Sequence, residues 1–146
     1  MIIGVLQEPI PETRVSLLPE HIAILKKWNI DVLVETNAGI NASVTNEKYQ
    51  EGGAKIAGRN EILRTAKIIL SINNFTSEDV LKMPAGTIVL GIYQPLHNAA
   101  SIKGWAERPI TIFWICCFSK VSFKKRIILF VSFSGSIDNV LFILFI

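Results

Sequence analysis

Apolar residues along this chain gather into short runs at Ile2–Leu6, Val32–Val34, Ile68–Leu70, Ile88–Leu90 and Ile110–Phe113. Each run is continuous rather than alternating, the pattern of a strand buried on both faces of its sheet. Amphipathic stretches with helix signals lie between them. Pro19–Trp28 sets Ile22, Leu25 and Trp28 at helical spacing, and Pro19 suits a first helical turn. Asn46–Glu51 opens on a residue that caps helices well. Arg59–Thr65 follows a break at Gly58. Ser77–Leu81 carries Glu78 and Asp79 in its first turn, where the helix dipole favours acids. Asn98–Ala106 also opens on a capping residue. Strand and helix alternate throughout. This predicts an α/β fold with a doubly wound, mostly parallel sheet of about five strands, flavodoxin- or Rossmann-like.

The chain has 146 residues, enough for one domain with a real core. At 50% apolar and 18% charged it is not a disordered chain. The formal charge of +3 is unevenly spread. Met1–Trp114 carries 11 Lys/Arg and 11 Asp/Glu, so the body is neutral. The excess comes from Ile115–Ile146, where Lys120, Lys124, Lys125 and Arg126 face Asp138 alone. A neutral body argues against nucleic-acid binding, which needs a basic face. Cys116 and Cys117 are adjacent and lie in the tail, which is neither a disulfide framework nor a metal or redox spacing. The body suits a reducing compartment. The start lacks a basic region and meets Glu8 and Pro9 early, so a signal peptide is not expected.

Candidate chemistry begins in the polar loop after the first run, which holds Glu8, Glu12 and Arg14. An arginine at the C-terminal end of a first parallel strand is well placed to bind a carboxylate or phosphate. The plain alternative is a solvated loop arginine paired with Glu12. His21 on a helix reads as a surface or boundary histidine, and His97 beside a helix start as structural rather than catalytic. Trp28 and Trp105 read as core or interface packing. No metal site and no catalytic residue is expected.

The opening MIIGVLQEPIPETRVSLLP, with its strand, loop, T-R-V-S-L and helix-opening proline, resembles the N-terminal domain shared by alanine dehydrogenases and proton-translocating nicotinamide nucleotide transhydrogenases. Further pieces follow in order. Val34–Gly39 resembles the family's V-E-x-x-A-G turn, where Gly39 would supply a left-handed or close-approach position. Tyr49–Ala54, Ile68–Asn73 and Gly86–Pro95 resemble its next segments. The resemblance covers residues 1–113. It implies a cofactor-facing cleft to which Arg14, Asn73, Gln94 and Pro95 would contribute. Asn73 beside Asn74 is also ordinary turn chemistry, and Pro95 also suits a strand-ending turn. Ser71 stands where alanine dehydrogenases carry a substrate-binding lysine, and a serine cannot neutralise a carboxylate. Gln94 stands at their catalytic histidine, and glutamine is no general acid or base.

These two departures favour the transhydrogenase branch, specifically the alpha subunit, its NAD(H)-binding component. In the intact protein the resemblance implies NAD(H) in a cleft between this domain and a Rossmann domain. Hydride then passes from NADH to NADP+ on another component. The implied partners are a second copy and the NADP-binding and membrane subunits, at the cytoplasmic side of the inner membrane. This chain alone is expected to hold NAD(H) weakly or not at all. The alternatives are an alanine dehydrogenase-like fragment and a non-catalytic, membrane-anchored interaction module.

After Phe113 the family pattern continues roughly S-L-D-(M/L/I)-(I/L)-P-R-x-x-R-A-Q-S-M-D, and the resemblance implies that its Arg-Gln-Asp part contacts the nicotinamide end of the cofactor. Here the chain reads WICCFSKVSFKKRIILFVSFSGSIDNVLFILFI, with no G-x-G-x-x-G. The codons of Phe113-Trp114-Ile115-Cys116 must be TTY TGG ATH TGY. Taken from the third base of the phenylalanine codon, they spell Leu-Asp-(Met/Leu), which is what the family pattern wants next. Residues 114–146 are therefore expected to be an aberrant apolar tail after a frameshift, leaving the C-terminal part truncated. Ile127–Ile146 is about the length that spans a bilayer. However, Asp138 and Asn139 sit inside it, and a central Asp costs about 2.5–3.5 kcal/mol on insertion scales. An aggregation-prone, poorly ordered or loosely packed helical tail is the expectation, without direct membrane contact.

Overall fold

The fold is described from a computed structural model of the chain, which describes residues 1–93, 105, 108–116, 128–132 and 140–144. The strands are β1 (Ile2–Val5), β2 (Asp31–Glu35), β3 (Lys55–Ala57), β4 (Ile68–Ser71), β5 (Ile88–Gly91), β6 (Thr111–Cys116), β7 (Ile128–Ser132) and β8 (Val140–Leu144). The helices are α1 (Pro19–Lys27), α2 (Asn46–Glu51), α3 (Arg59–Thr65) and α4 (Ser77–Lys82). One sheet runs in the order β3-β2-β1-β4-β5-β6-β7-β8. From β3 to β6 all neighbours are parallel, while β7 and β8 add on antiparallel. The 3-2-1-4-5-6 order of the parallel portion is the doubly wound Rossmann order.

The central strands bury residues on both of their faces, which is why the apolar runs are continuous. Val5, Val32 and Val34 pack with Ile22 of α1 and Tyr49 of α2 on one side. Leu6, Leu33, Ile69 and Val89 pack with Ile62 and Leu63 of α3 and Val80 of α4 on the other. Gly4 lets α3 approach β1 closely, since a Cβ there would run into the Ile62 side chain and meet Ala66 Cβ at 3.0 Å. Among the described residues, the cover on the α1/α2 side is incomplete. Ile68 and Leu70 of β4, Ile88 and Leu90 of β5 and Phe113 of β6 lie in register on that face and are only half-buried.

The five expected strands are present, and the structure adds β3, a three-residue edge strand beside β2. Several local expectations change. Thr45, not Asn46, holds the cap position of α2, and the Asn46 side chain instead pairs with Asn37. Asn37 itself takes the left-handed conformation, φ 63°. Gly39 sits at φ −94° and serves close approach, because a Cβ there would lie 2.8 Å from the Tyr49 ring and 2.9 Å from Val44. Trp28 is 67% exposed and is not core, whereas Trp105 is buried. The described tail residues complete β6 and form β7 and β8 rather than a helix. Among the described residues no helix is long and apolar enough to cross a membrane. The helix expected at Asn98–Ala106 falls, apart from Trp105, outside the described residues.

Candidate functional site

Chain connections leave β1 and β4 in opposite directions across the sheet, toward β2 and toward β5. The crevice outside the carboxyl ends of two such strands is where open α/β sheets place ligands. Two hydrogen-bonded networks occupy that end of the molecule.

Glu8, in the loop after β1, is the centre of the first. It is buried, with 5% exposure. Its Oε1 accepts from the Ile72 N–H at 2.6 Å, and its Oε2 accepts from the Asn73 N–H at 2.9 Å and Asn73 Nδ2 at 3.1 Å. Ser71, the buried last residue of β4, donates its hydroxyl to the Asn73 carbonyl at 2.7 Å. The carboxylate thus ties the β1 loop to the β4 turn at the switch point. Among the described residues it has no ion-pair partner.

Arg59, the first residue of α3, is the centre of the second. Its Nε and Nη2 donate to the two carboxylate oxygens of Asp79 at 3.1 and 2.8 Å, a bidentate fork. Its Nη1 donates to Glu35 Oε2 at 3.0 Å and to the Gln7 carbonyl at 3.3 Å. The Gln7 N–H donates to the same Glu35 oxygen at 2.7 Å. The loop after β1, the end of β2 and the starts of α3 and α4 are pinned together in this way. Burial alone would push the Asp79 carboxyl up, but the Arg59 hydrogen bonds and charge, with Thr76, outweigh it and hold the group below the usual carboxylate range. Thr76 caps α4 by accepting from the Asp79 N–H at 3.2 Å.

Of the four residues singled out in the sequence, two fall among the described residues. Arg14 is exposed, and its guanidinium donates to both oxygens of Glu12 at 2.8 and 2.7 Å. That hydrogen-bonded pairing draws the Glu12 carboxyl down to about 2. Asn73 is half-buried and engaged by Glu8. Both lie at the switch-point end of the sheet, on different loops, with no hydrogen bond between them among the described residues. Gln94, Pro95 and His97 lie outside the described residues.

The fold order invites a dinucleotide at this crevice, but the described residues do not fit one by themselves. A pyrophosphate needs free backbone N–H groups at a glycine-rich turn. Here the turn after β1 carries Glu8 and Glu12 instead of glycines, and the N–H groups of Gln7, Ile72 and Asn73 are already donated to carboxylates.

Sequence reasoning missed Glu8, Glu35, Arg59 and Asp79 as a set. One faint signal was available. Arg59 stands at the first position of a helix, where the dipole disfavours a cation, so acids must hold it there.

The family model described as "Alanine dehydrogenase/PNT, N-terminal domain" matches residues 4–136. The chain is 29% identical over 123 residues to the NAD(P) transhydrogenase subunit alpha of Haemophilus influenzae, covering 84% of this chain and 24% of that protein. It is 32% identical over 101 residues to the alanine dehydrogenase of Bacillus subtilis, covering 68% of this chain and 26% of that one. A solved transhydrogenase from Sinorhizobium meliloti superposes with a TM-score of 0.74 at 25% identity, over 82% of this chain and 37% of that one. The chain spans about a quarter of the length of these curated relatives.

Proposed function

This chain belongs to the alanine dehydrogenase/PNT N-terminal domain family, and we propose that it is the N-terminal portion of a transhydrogenase alpha-type subunit, the NAD(H)-binding component. The family match over residues 4–136, with a transhydrogenase alpha subunit among the relatives, carries this reading. In it, the chain forms one wall of a nucleotide cleft whose other wall belongs to a second domain. NADH supplies the hydride in the complete protein. In this reading Arg14, Asn73, Gln94 and Pro95 contribute to the cleft that faces the nucleotide once the second domain completes it, and no covalent chemistry falls to them. The partners are a second copy and the NADP-binding and membrane subunits, at the cytoplasmic face of the inner membrane. The chain alone is inactive, a reading supported by the N–H groups already donated to Glu8 and Glu35.

Isothermal calorimetry with NADH tests this, on the chain and on a version whose reading frame is restored after Phe113. Binding by the restored version alone is the expected result. Equal binding by both overturns the division of labour between the domains, and Arg14, Asn73 and Gln94 then become the residues to substitute. Pyruvate- and ammonia-dependent NADH oxidation by the restored version would favour the alanine dehydrogenase branch instead. Ser71 argues against that outcome, since its hydroxyl is donated to the Asn73 carbonyl and carries no charge for a substrate carboxylate.

A further inference from the structure

We propose that the outward face of α1 docks on the same face of a second copy of this chain, antiparallel, about a two-fold axis at Ile24. α1 turns Ile22 into the core and leaves two large apolar side chains in the open. Ile24 is 46% exposed and Trp28 67%. A single exposed apolar residue is ordinary, but residues four apart on a helix are neighbours and form one patch.

The charges around that patch show what fits it. With Ile24 at the centre and about 100° of turn per residue, Glu20 and Lys27 fall on one flank, about 40° and 60° away. Trp28 and His21 fall on the other flank at about the same two angles. All four are exposed. The helix rises about 1.5 Å per residue, so Glu20 and His21 lie below Ile24 by nearly the height at which Trp28 and Lys27 lie above it. In an isologous contact residue i meets j and j meets i. Reversing α1 about Ile24 therefore sets Glu20 against Lys27 of the second copy and His21 against its Trp28, each pair occurring twice around an Ile24–Ile24 centre. A parallel pairing would set Glu20 on Glu20 and Lys27 on Lys27, so the charges also fix the direction. One face of a nine-residue helix makes a contact at the small, transient end of interfaces. It offers a docking face for the second copy of the proposed function, yet it rests on α1 alone and stands whether or not the chain binds NADH.

Sedimentation equilibrium of the full chain, of Glu20→Lys, of Lys27→Glu and of the double exchange tests it. The parent should dimerise reversibly below about 1 mM. Each single exchange sets like charges face to face at two places and should weaken dimerisation about fivefold or more. The double exchange restores opposite charges and should return it to within about twofold of the parent. Fraying of α1 does not mimic this, because the double exchange is the worst of the three for the helix dipole. Net charge does not mimic it either, since Lys27→Glu brings the formal charge of +3 closer to zero and would by itself favour association. A carbodiimide joins a carboxylate to an amine with loss of water and no spacer. It should link Glu20 to Lys27 between unlabelled and isotope-labelled copies, as read by peptide mass spectrometry. Within one helix the two residues are about 10 Å apart along the axis, too far for that link. Single exchanges that dimerise like the parent, a double exchange no tighter than the singles, or a parent dimer lacking the link each overturn the proposal. So does a parent that stays monomeric, which would leave the face to a partner of another kind.

Discussion

Arg59 reaches Asp79, Glu35 and the Gln7 carbonyl from one side chain. Asp79 is the deeper partner, with its side chain 6% exposed, while Arg59 is 34% exposed. Truncating Arg59 therefore strands a charge that water reaches poorly. Arg59→Ala should cost about 2–3 kcal/mol in urea unfolding, a figure already reduced for the arginine's own exposure. The same pair gives the fold an acid limit. Asp79 is held below its usual range, so the folded chain binds fewer protons than the unfolded one around pH 4. Stability is complete above the unfolded carboxylate pKa of about 3.9 and is lost as pH falls through the lower folded value. Melts from pH 7 to pH 2.5 should show this decline, and Asp79→Asn should flatten it while lowering the plateau at neutral pH. Neither this network nor the Glu8 clamp was legible in the sequence. Glu8 and Asn73 are 65 positions apart and Arg59 and Gln7 are 52 apart, and local periodicity carries no information at that range. The Glu12–Arg14 pair, two positions apart, was legible for the same reason in reverse.

Among the elements, what the sequence revealed depended on length and burial. α3 was readable to its ends, because a Gly58 break precedes an apolar face that the sheet fully buries at Ile62 and Leu63. β3 was not, because Lys55–Ala57 is three residues long and its exposed Lys55 breaks any apolar run. α1 shows where periodicity misleads. Ile22, Leu25 and Trp28 share a spacing, yet only Ile22 is fully buried, and Trp28 caps the helix in the open. The contrast is measurable. Ile62→Ala should cost about 2–5 kcal/mol, since the cavity would lie between α3 and β1 where Gly4 already brings them into contact. Trp28→Ala should change stability by less than about 0.5 kcal/mol. Tyr49→Phe should fall between them at about 1–2 kcal/mol. Its hydroxyl donates to the Leu17 carbonyl at 2.8 Å, and removing it leaves that carbonyl short of a donor.

At the scale of the whole molecule, the two faces of the sheet are unequal. The α3/α4 face closes over a continuous core that reaches Val89, Trp105 and Ile112, whereas the α1/α2 core, among the described residues, reaches Leu70 of β4 but not β5 or β6. Ile68, Leu70, Ile88, Leu90 and Phe113 form a half-buried apolar patch on strands that are otherwise well paired. A patch of aligned apolar side chains on a rigid sheet stays partly hydrated unless something lies over it, and a second copy offers the same surface. The purified chain should therefore associate as its concentration rises, read as an increasing apparent mass in light scattering coupled to size exclusion. Replacing Ile88 and Leu90 by threonine keeps strand-forming residues on β5 but makes the patch polar. That pair of substitutions should shift the chain toward the monomer without lowering its melting temperature by more than a few degrees, because neither side chain is fully buried. A parent chain that stays monomeric over a hundredfold range of concentration would mean the patch is already covered. The frame-restored version should then show no further gain in melting temperature. If the patch is open instead, restoring the continuation after Phe113 should both suppress association and raise the melt.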